Sequence, residues 1–153
     1  MRYRVAVTFV ALLAVAACEN APPESGPELS VVVSDATVQL PAVPGRPGAA
    51  YFTLRTTNDP ARLVSVGSPG LGRVELHGSM TMKGMATMAP LSGGQLVFDP
   101  GKPLVFAPGG KHAMIFDMPV TLRPGARIPL TFTLEPAGKV TVWADVRAAG
   151  DMR

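Results

Sequence analysis

The sequence contains only two histidines, His77 and His112, and both lie in or beside a window rich in methionine. Six of the eight methionines fall in that window: Met80, Met82, Met85, Met88, Met114 and Met118. Imidazole nitrogens and thioether sulfurs can bind one soft metal ion together, whereas either residue type alone is common in ordinary packing. The combination therefore predicts a soft-metal site between positions 77 and 118.

The spacing of His112 and Met114 strengthens this prediction. They are two positions apart in a segment predicted as a strand, so their side chains should point to the same face. His77 ends another predicted strand and is followed by a Met-rich loop, 79–88. If the fold brings these strand ends together, two histidines and two methionines can converge at one pole. Met80, Met82 and Met118, taken singly, are better explained as core or surface residues.

The ligand types select the metal. Thioethers are soft ligands that suit Cu(I), whereas Zn²⁺, Mg²⁺ and Ca²⁺ prefer nitrogen, thiolate or oxygen donors. A blue-copper electron-transfer site needs a cysteine thiolate, and the only cysteine is Cys18, near the N-terminus. The sequence therefore favours Cu(I) binding over blue-copper electron transfer.

The N-terminus has the order of a lipoprotein signal peptide, over residues 1–17. Arg2 and Arg4 precede an apolar run that is too short for a permanent membrane span, and two alanines lead into Cys18. We expect cleavage before Cys18 and lipidation of its thiol. Residues 18–28 are polar and Pro-rich and are predicted to be a flexible tether. The folded domain is predicted over residues 29–149.

The fold class follows from the many glycine and proline residues, which interrupt helices, and from the short apolar segments between them. Glycine and proline number 16 each, too many for a protein built of long helices, and turn signals separate many short alternating segments. The segments predicted as strands are 29–38, 51–55, 62–66, 73–77, 95–98, 103–106, 112–116, 128–134 and 139–147. This pattern predicts an all-β protein, an antiparallel β-sandwich.

Charge and composition exclude other classes of function. The net charge of +3 includes Arg2 and Arg4, and without them 12 basic residues stand against 11 acidic ones. No Lys/Arg cluster is present and only 6% of the residues are aromatic, so a nucleic-acid partner is not expected. With two histidines and no evident carboxylate pair or Ser-His-acid arrangement, the chain is not expected to be an enzyme.

At its His and Met residues the sequence resembles the periplasmic PCu(A)C-type copper chaperones. His77 is followed by ten residues and Met88, and 23 residues later comes His112-Ala-Met114; the second interval is two residues longer than in the family. The resemblance covers roughly residues 31–146. Its other matching segments are Tyr51-Phe-Thr-Leu, Val74-Glu-Leu-His77, Pro108-Gly-Gly-Lys-His-Ala-Met114 and Ile128-Pro-Leu-Thr-Phe-Thr-Leu134.

The resemblance implies a cupredoxin-like Greek-key sandwich that binds one Cu(I) through His77, Met88, His112 and Met114. Met80, Met82 and Met85 are additional candidates for metal contacts. The implied role is copper delivery at the periplasmic side of a bacterial membrane, to another copper chaperone or to a cytochrome oxidase subunit with a dinuclear copper centre. Two alternatives stay open: copper sequestration or tolerance, and an envelope lipoprotein that binds proteins and no metal.

Overall fold

The computed structural model describes residues 31–82 and 84–151. The predicted signal peptide, Cys18 and the predicted tether lie outside the described residues. Within the described ranges ten strands follow one another, with a single 3-10 turn at Gly93–Leu96. They are β1 (Val31–Gln39), β2 (Gly48–Thr56), β3 (Ala61–Gly67), β4 (Val74–Met82), β5 (Met85–Pro90), β6 (Val97–Phe98), β7 (Leu104–Phe106), β8 (Lys111–Ile115), β9 (Arg127–Glu135) and β10 (Gly138–Arg147).

The strands form one continuous curled sheet in the order β5-β4-β8-β7-β2-β1-β10-β9-β3-β6. The all-β prediction is confirmed. The sheet is mixed rather than purely antiparallel, because β1 pairs with β10 and β7 pairs with β8 in parallel. Within the described part of the chain, no helix has the length and apolar character of a membrane span.

Three phenylalanines hold the inner face of the curled sheet together. Phe52 on β2 stacks on Phe106 of β7 with 4.4 Å between ring centroids, and meets Phe132 of β9 edge-on at 4.7 Å. Alternation explains why these residues are inside: Phe52 and Leu54 on β2, and Leu130, Phe132 and Leu134 on β9, are all buried. The contact between β2 and β9 brings distant parts of the curled sheet against one another. Strand β8, which carries His112 and Met114, pairs with β2.

The stretch predicted as a Met-rich loop is instead a β-hairpin. Strands β4 and β5 pair from His77 opposite Pro90 to Met82 opposite Met85, so only two residues close the turn. Gly84 in that turn has φ of +79°, a conformation that glycine adopts without steric cost. Met88 therefore lies on a strand, and the loop prediction for it was wrong.

The segment 95–98 is also different from its prediction as a strand. Its first half belongs to the 3-10 turn, and only Val97 and Phe98 pair with β3. The preceding Ser92-Gly93-Gly94 sequence favours a turn, and Leu96 and Phe98 are both buried against the core. Burial of these two side chains and the short pairing with β3 together fix the path of the segment.

Gly48, at the start of β2, has no room for a side chain. A Cβ built there would lie 2.7 Å from the carbonyl oxygen of Gln39 and 2.2 Å from Sδ of Met118. The thioether can move, but the backbone oxygen is held in the β1–β2 pairing. We expect Gly48→Ala to lower the free energy of unfolding by about 1–3 kcal/mol, as other overpacked sites do.

Urea denaturation measures this effect, and Gly67→Ala is the matched control. Gly67 also lies on a strand, but a Cβ there would meet nothing within 4 Å. Its substitution should change the free energy of unfolding by less than about 0.5 kcal/mol. Equal stability of the two variants would contradict the prediction for Gly48.

Candidate metal centre

Three neighbouring strands bring the predicted ligands to one face of the sheet. Strand β4 lies between β5 and β8, and His77 on β4 is directly opposite His112 on β8. Met114 lies two residues beyond His112, and Met88 is opposite Ser79, two residues beyond His77. Cross-strand partners and residues two apart share a face, so all four side chains project from the same side.

The two imidazole rings face each other at a distance that suits a shared ion. Their centroids are 6.0 Å apart and the ring planes are inclined by 31°. Metal–nitrogen bonds to histidine are about 2.0–2.1 Å long, so one ion between the rings could contact a nitrogen of each. Both rings are shielded from solvent: His112 is 8% exposed, and the side chain of His77 is 13% exposed.

The hydrogen bonds of the rings leave one lone pair on each. The Nδ1–H of His112 donates to the carbonyl oxygen of Gly110 at 3.2 Å, so its Nε2 carries the lone pair. The Nε2–H of His77 donates to Oε2 of Glu75 at 3.0 Å, so its lone pair is on Nδ1. Nδ1 of His77 is buried and has no hydrogen-bond partner among the described residues. A buried nitrogen with a free lone pair fits a metal ligand.

The site opens to solvent through a depression of about 380 Å³, lined by Met88, His112 and Met114. Met88 lies at the rim and is 60% exposed. Tyr51 on β2 forms part of the wall, and burial raises its pKa above the ordinary value of 10.0. The phenol therefore stays protonated at neutral pH, which makes it a hydrogen-bonding group and not an anionic ligand.

Of the other candidate methionines, Met80 and Met85 do not join this face. Met80 is opposite Thr87 and shares the other side of the hairpin with Met85; the two are 49% and 70% exposed. Met82 pairs with Met85 through the backbone. Met118 packs against the core next to Gly48, as expected for a packing methionine. The hairpin thus separates Met88 from the methionines that the sequence placed beside it.

Sequence reasoning missed Glu75 as a member of the site. Glu75 is opposite Met114 and hydrogen-bonds His77, so it lies on the same face as the four predicted ligands. The signal was present, because Glu75 is two positions before His77 in a segment predicted as a strand. Its carboxylate also forms an ion pair with Arg73.

Comparison of the sequence with known protein families and curated proteins identifies the family of this chain. A sequence model of the LpqE-like lipoprotein family matches residues 31–146. The uncharacterized protein RP573 of Rickettsia prowazekii is 30% identical over 109 residues, which are 67% of this chain and 56% of that protein. The chain therefore spans little more than half the length of this relative.

Solved structures of PCuAC domains share the fold. Apo-DR1885 from Deinococcus radiodurans superposes with a TM-score of 0.61 at 23% identity over 100% of both chains. Its Cu(I) form gives a TM-score of 0.59 at 22% identity, covering 90% of this chain and 88% of that one. The copper-bound PCuAC domain from PmoF2 gives 0.57 at 24% identity, covering 78% and 95%. The expected cupredoxin-like β fold is thereby confirmed.

Proposed function

Because the chain belongs to the LpqE-like family and has the fold of PCuAC domains, we propose that it is a Cu(I) chaperone and not an enzyme. The observation that carries this proposal is the convergence of His77, His112, Met88 and Met114 on one face, together with a buried nitrogen of His77 that has no hydrogen-bond partner among the described residues. Copper is the cargo of such a protein, bound and then released.

The donor set supports Cu(I) over other ions. Two imidazoles and two thioethers are neutral ligands of intermediate and soft character, which Cu(I) accepts and which Zn²⁺ and hard cations do not favour. The copper-bound forms of DR1885 and of the PmoF2 domain are consistent with this choice. A titration of the purified protein with Cu(I) against a chromogenic chelator tests it, and failure to compete with the chelator would refute the proposal.

The burial of the ligands suggests how the ion is transferred. The two histidines are nearly enclosed, whereas Met88 is 60% exposed at the rim of the depression. An incoming ligand of an acceptor can replace Met88 while the histidines still hold the ion. Since thioethers are neutral, this exchange needs no proton transfer at the methionine. The acceptor is proposed to be another copper chaperone or the dinuclear copper centre of cytochrome oxidase.

Delivery and sequestration predict different phenotypes. A strain that lacks a delivery protein should assemble less cytochrome oxidase when copper is scarce, and added copper should restore assembly. A strain that lacks a sequestration protein should instead become sensitive to excess copper with its oxidase unaffected. Oxidase activity in membranes, measured across a range of copper concentrations, separates the two functions.

Lipidation at Cys18 is proposed to hold the protein at the periplasmic face of a membrane. Each buried CH₂ of an acyl chain contributes roughly 0.8 kcal/mol to membrane binding, so several chains anchor stably. We expect Cys18→Ser to abolish lipidation, so that the protein leaves the membrane fraction or accumulates uncleaved. Cell fractionation and mass spectrometry of the mature N-terminus measure both effects.

Ser25→Ala is the control for the anchor, because Ser25 lies in the predicted tether and offers no acylation site of this kind. This variant should stay with the membrane. An unmodified mature N-terminus at a position other than Cys18 would contradict the proposed anchor, and it would leave the copper site untouched.

A further inference from the structure

The contacts of Glu75 point to a function in the site beyond that of the four ligands. Oε2 of Glu75 lies 3.0 Å from Nε2 of His77, and Oε1 forms an ion pair with Arg73. We propose that Glu75 is a positioning residue that orients His77 and makes Nδ1 the nitrogen offered to copper. This inference rests on the proposed function, because it concerns the same site.

The chemistry of the contact fixes the proton. A neutral imidazole carries one N–H, and an ionised carboxylate can only accept a hydrogen bond. The proton of His77 is therefore on Nε2, toward Glu75, and the lone pair is on Nδ1. That atom is buried without a partner among the described residues, so the other tautomer would lose the carboxylate contact and leave a buried N–H unpaired instead.

Arg73 in turn fixes the carboxylate. Its guanidinium pairs with Glu75 and lies over the ring of Phe116, with 4.2 Å between Cζ and the ring centroid. The backbone carbonyl of Arg73 accepts a hydrogen bond from the N–H of Phe116 at 2.8 Å. Arg73, Glu75 and His77 thus form a chain of contacts that runs from a residue anchored at the start of β4 to the metal centre.

The carboxylate should also strengthen the metal bond. A carboxylate that accepts the second N–H of a metal-bound histidine raises the basicity of the ligand nitrogen, and loss of such a partner typically weakens metal binding about 10–100-fold. The four ligands are all neutral, and the Glu75 carboxylate, itself paired with Arg73, is the anionic group that contacts His77. His112 has only a backbone carbonyl in the equivalent position. The two histidines therefore bind differently, His77 through Nδ1 and His112 through Nε2.

The test compares Cu(I) affinity among three variants of the purified protein by competition with a chelator. Glu75→Ala should bind Cu(I) roughly 10–100-fold more weakly than wild type. Glu75→Gln should lose less, because its amide oxygen can still accept the hydrogen bond from His77. Glu135→Ala should bind like wild type; Glu135 also pairs with an arginine, Arg62, but the two lie on β9 and β3, neither of which is hydrogen-bonded to β4.

A second measurement reports the contact without copper. The Nε2–H of His77 should give a slowly exchanging imidazole proton signal in the NMR spectrum of the apo protein. The signal should persist in Glu75→Gln and disappear in Glu75→Ala, while the backbone spectrum shows that both variants are folded. A merely structural effect of Glu75 would not follow this order.

The possible outcomes distinguish failure of the inference about Glu75 from failure of the proposed Cu(I) binding on which it rests. If wild type does not bind Cu(I), the proposed function fails and the inference fails with it. If wild type binds and folded Glu75→Ala binds equally tightly, the inference is overturned and the proposed function stands. Weaker binding by Glu75→Ala, with partial rescue by Glu75→Gln, supports both.

Discussion

Replacing His112 with alanine is expected to weaken Cu(I) binding by more than about 100-fold, beyond the loss typical of an outer-shell partner. His112 is 8% exposed, faces His77 directly across β4 and β8, and has its Nδ1 hydrogen-bonded to Gly110, so its Nε2 is held ready for the ion. Little conformational entropy remains to be lost when copper binds. A chelator competition under reducing, anaerobic conditions measures the affinity.

Met114→Leu is the companion variant, because it removes the sulfur and nearly conserves the volume. It should also weaken Cu(I) binding strongly, and the melting temperature of the apo protein should hardly change. Copper should raise the melting temperature of wild type more than that of either variant, since a ligand stabilises the state that binds it in proportion to the logarithm of its affinity.

The competing explanation is a methionine-filled core with no metal. It predicts that Met114→Ala lowers the free energy of unfolding by about 2–5 kcal/mol, with no copper dependence. Thermal melts with and without copper separate the two explanations, because only a metal site links stability to copper concentration. Wild type with a copper-independent melting temperature would rule out the metal centre.

The sequence predicts the local part of this site well. His112 and Met114 share a face because residues two apart in a strand always do, and that rule needs only the strand assignment. Strand β8 is observed at Lys111–Ile115, close to the predicted 112–116. The buried phenylalanines of β2 and β9 are likewise readable from alternation, because each strand has one inward face.

The register between strands could not be read in the same way. His77 and His112 are 35 positions apart, and a shift of one residue in the β4–β8 pairing would put them on opposite faces. That register depends on non-local packing, such as burial of Ala113 and Ile115 on the other face of β8. The parallel pairing of β1 with β10 is equally non-local and was not expected from the strand pattern.

The hairpin of β4 and β5 was missed although a signal for it exists. Lys83-Gly84 lies between Met80-Thr-Met82 and Met85-Ala-Thr-Met88, and two-residue turns ending in glycine are typical of tight hairpins. Methionine is flexible and fits helices, cores and loops alike, so the methionines on either side of the turn did not by themselves indicate strands. The consequence concerns Met85, which the sequence analysis offered as an additional candidate for metal contact near Met88.

Met88→Leu is expected to weaken Cu(I) binding by roughly 10-fold or more, whereas Met85→Leu should leave it within about twofold of wild type, inside the scatter of neutral surface changes. Met88 and Met85 are three positions apart on β5, so their side chains project from opposite sides of the hairpin. Met85 could replace Met88 only if the strand turned over, which would break its pairing with β4. Both substitutions nearly conserve the side-chain volume, so the change in affinity reports the loss of the sulfur and not a change in packing.

Methionine-methyl NMR shows which sulfurs meet the ion. On addition of one equivalent of Ag(I), a soft and redox-inert probe for Cu(I), the methyl signals of Met88 and Met114 should shift, and those of Met80 and Met85 should stay. In the Cu(I) affinity measurement, Met80→Leu serves as a further control, because Met80 and Met85 project from the side of the hairpin opposite to Met88. Shifts at Met80 and Met85 in step with Met88 would mean that the hairpin rearranges around the metal. Shifts confined to Met88 and Met114 would mean that strand alternation alone decides which of four neighbouring thioethers can bind.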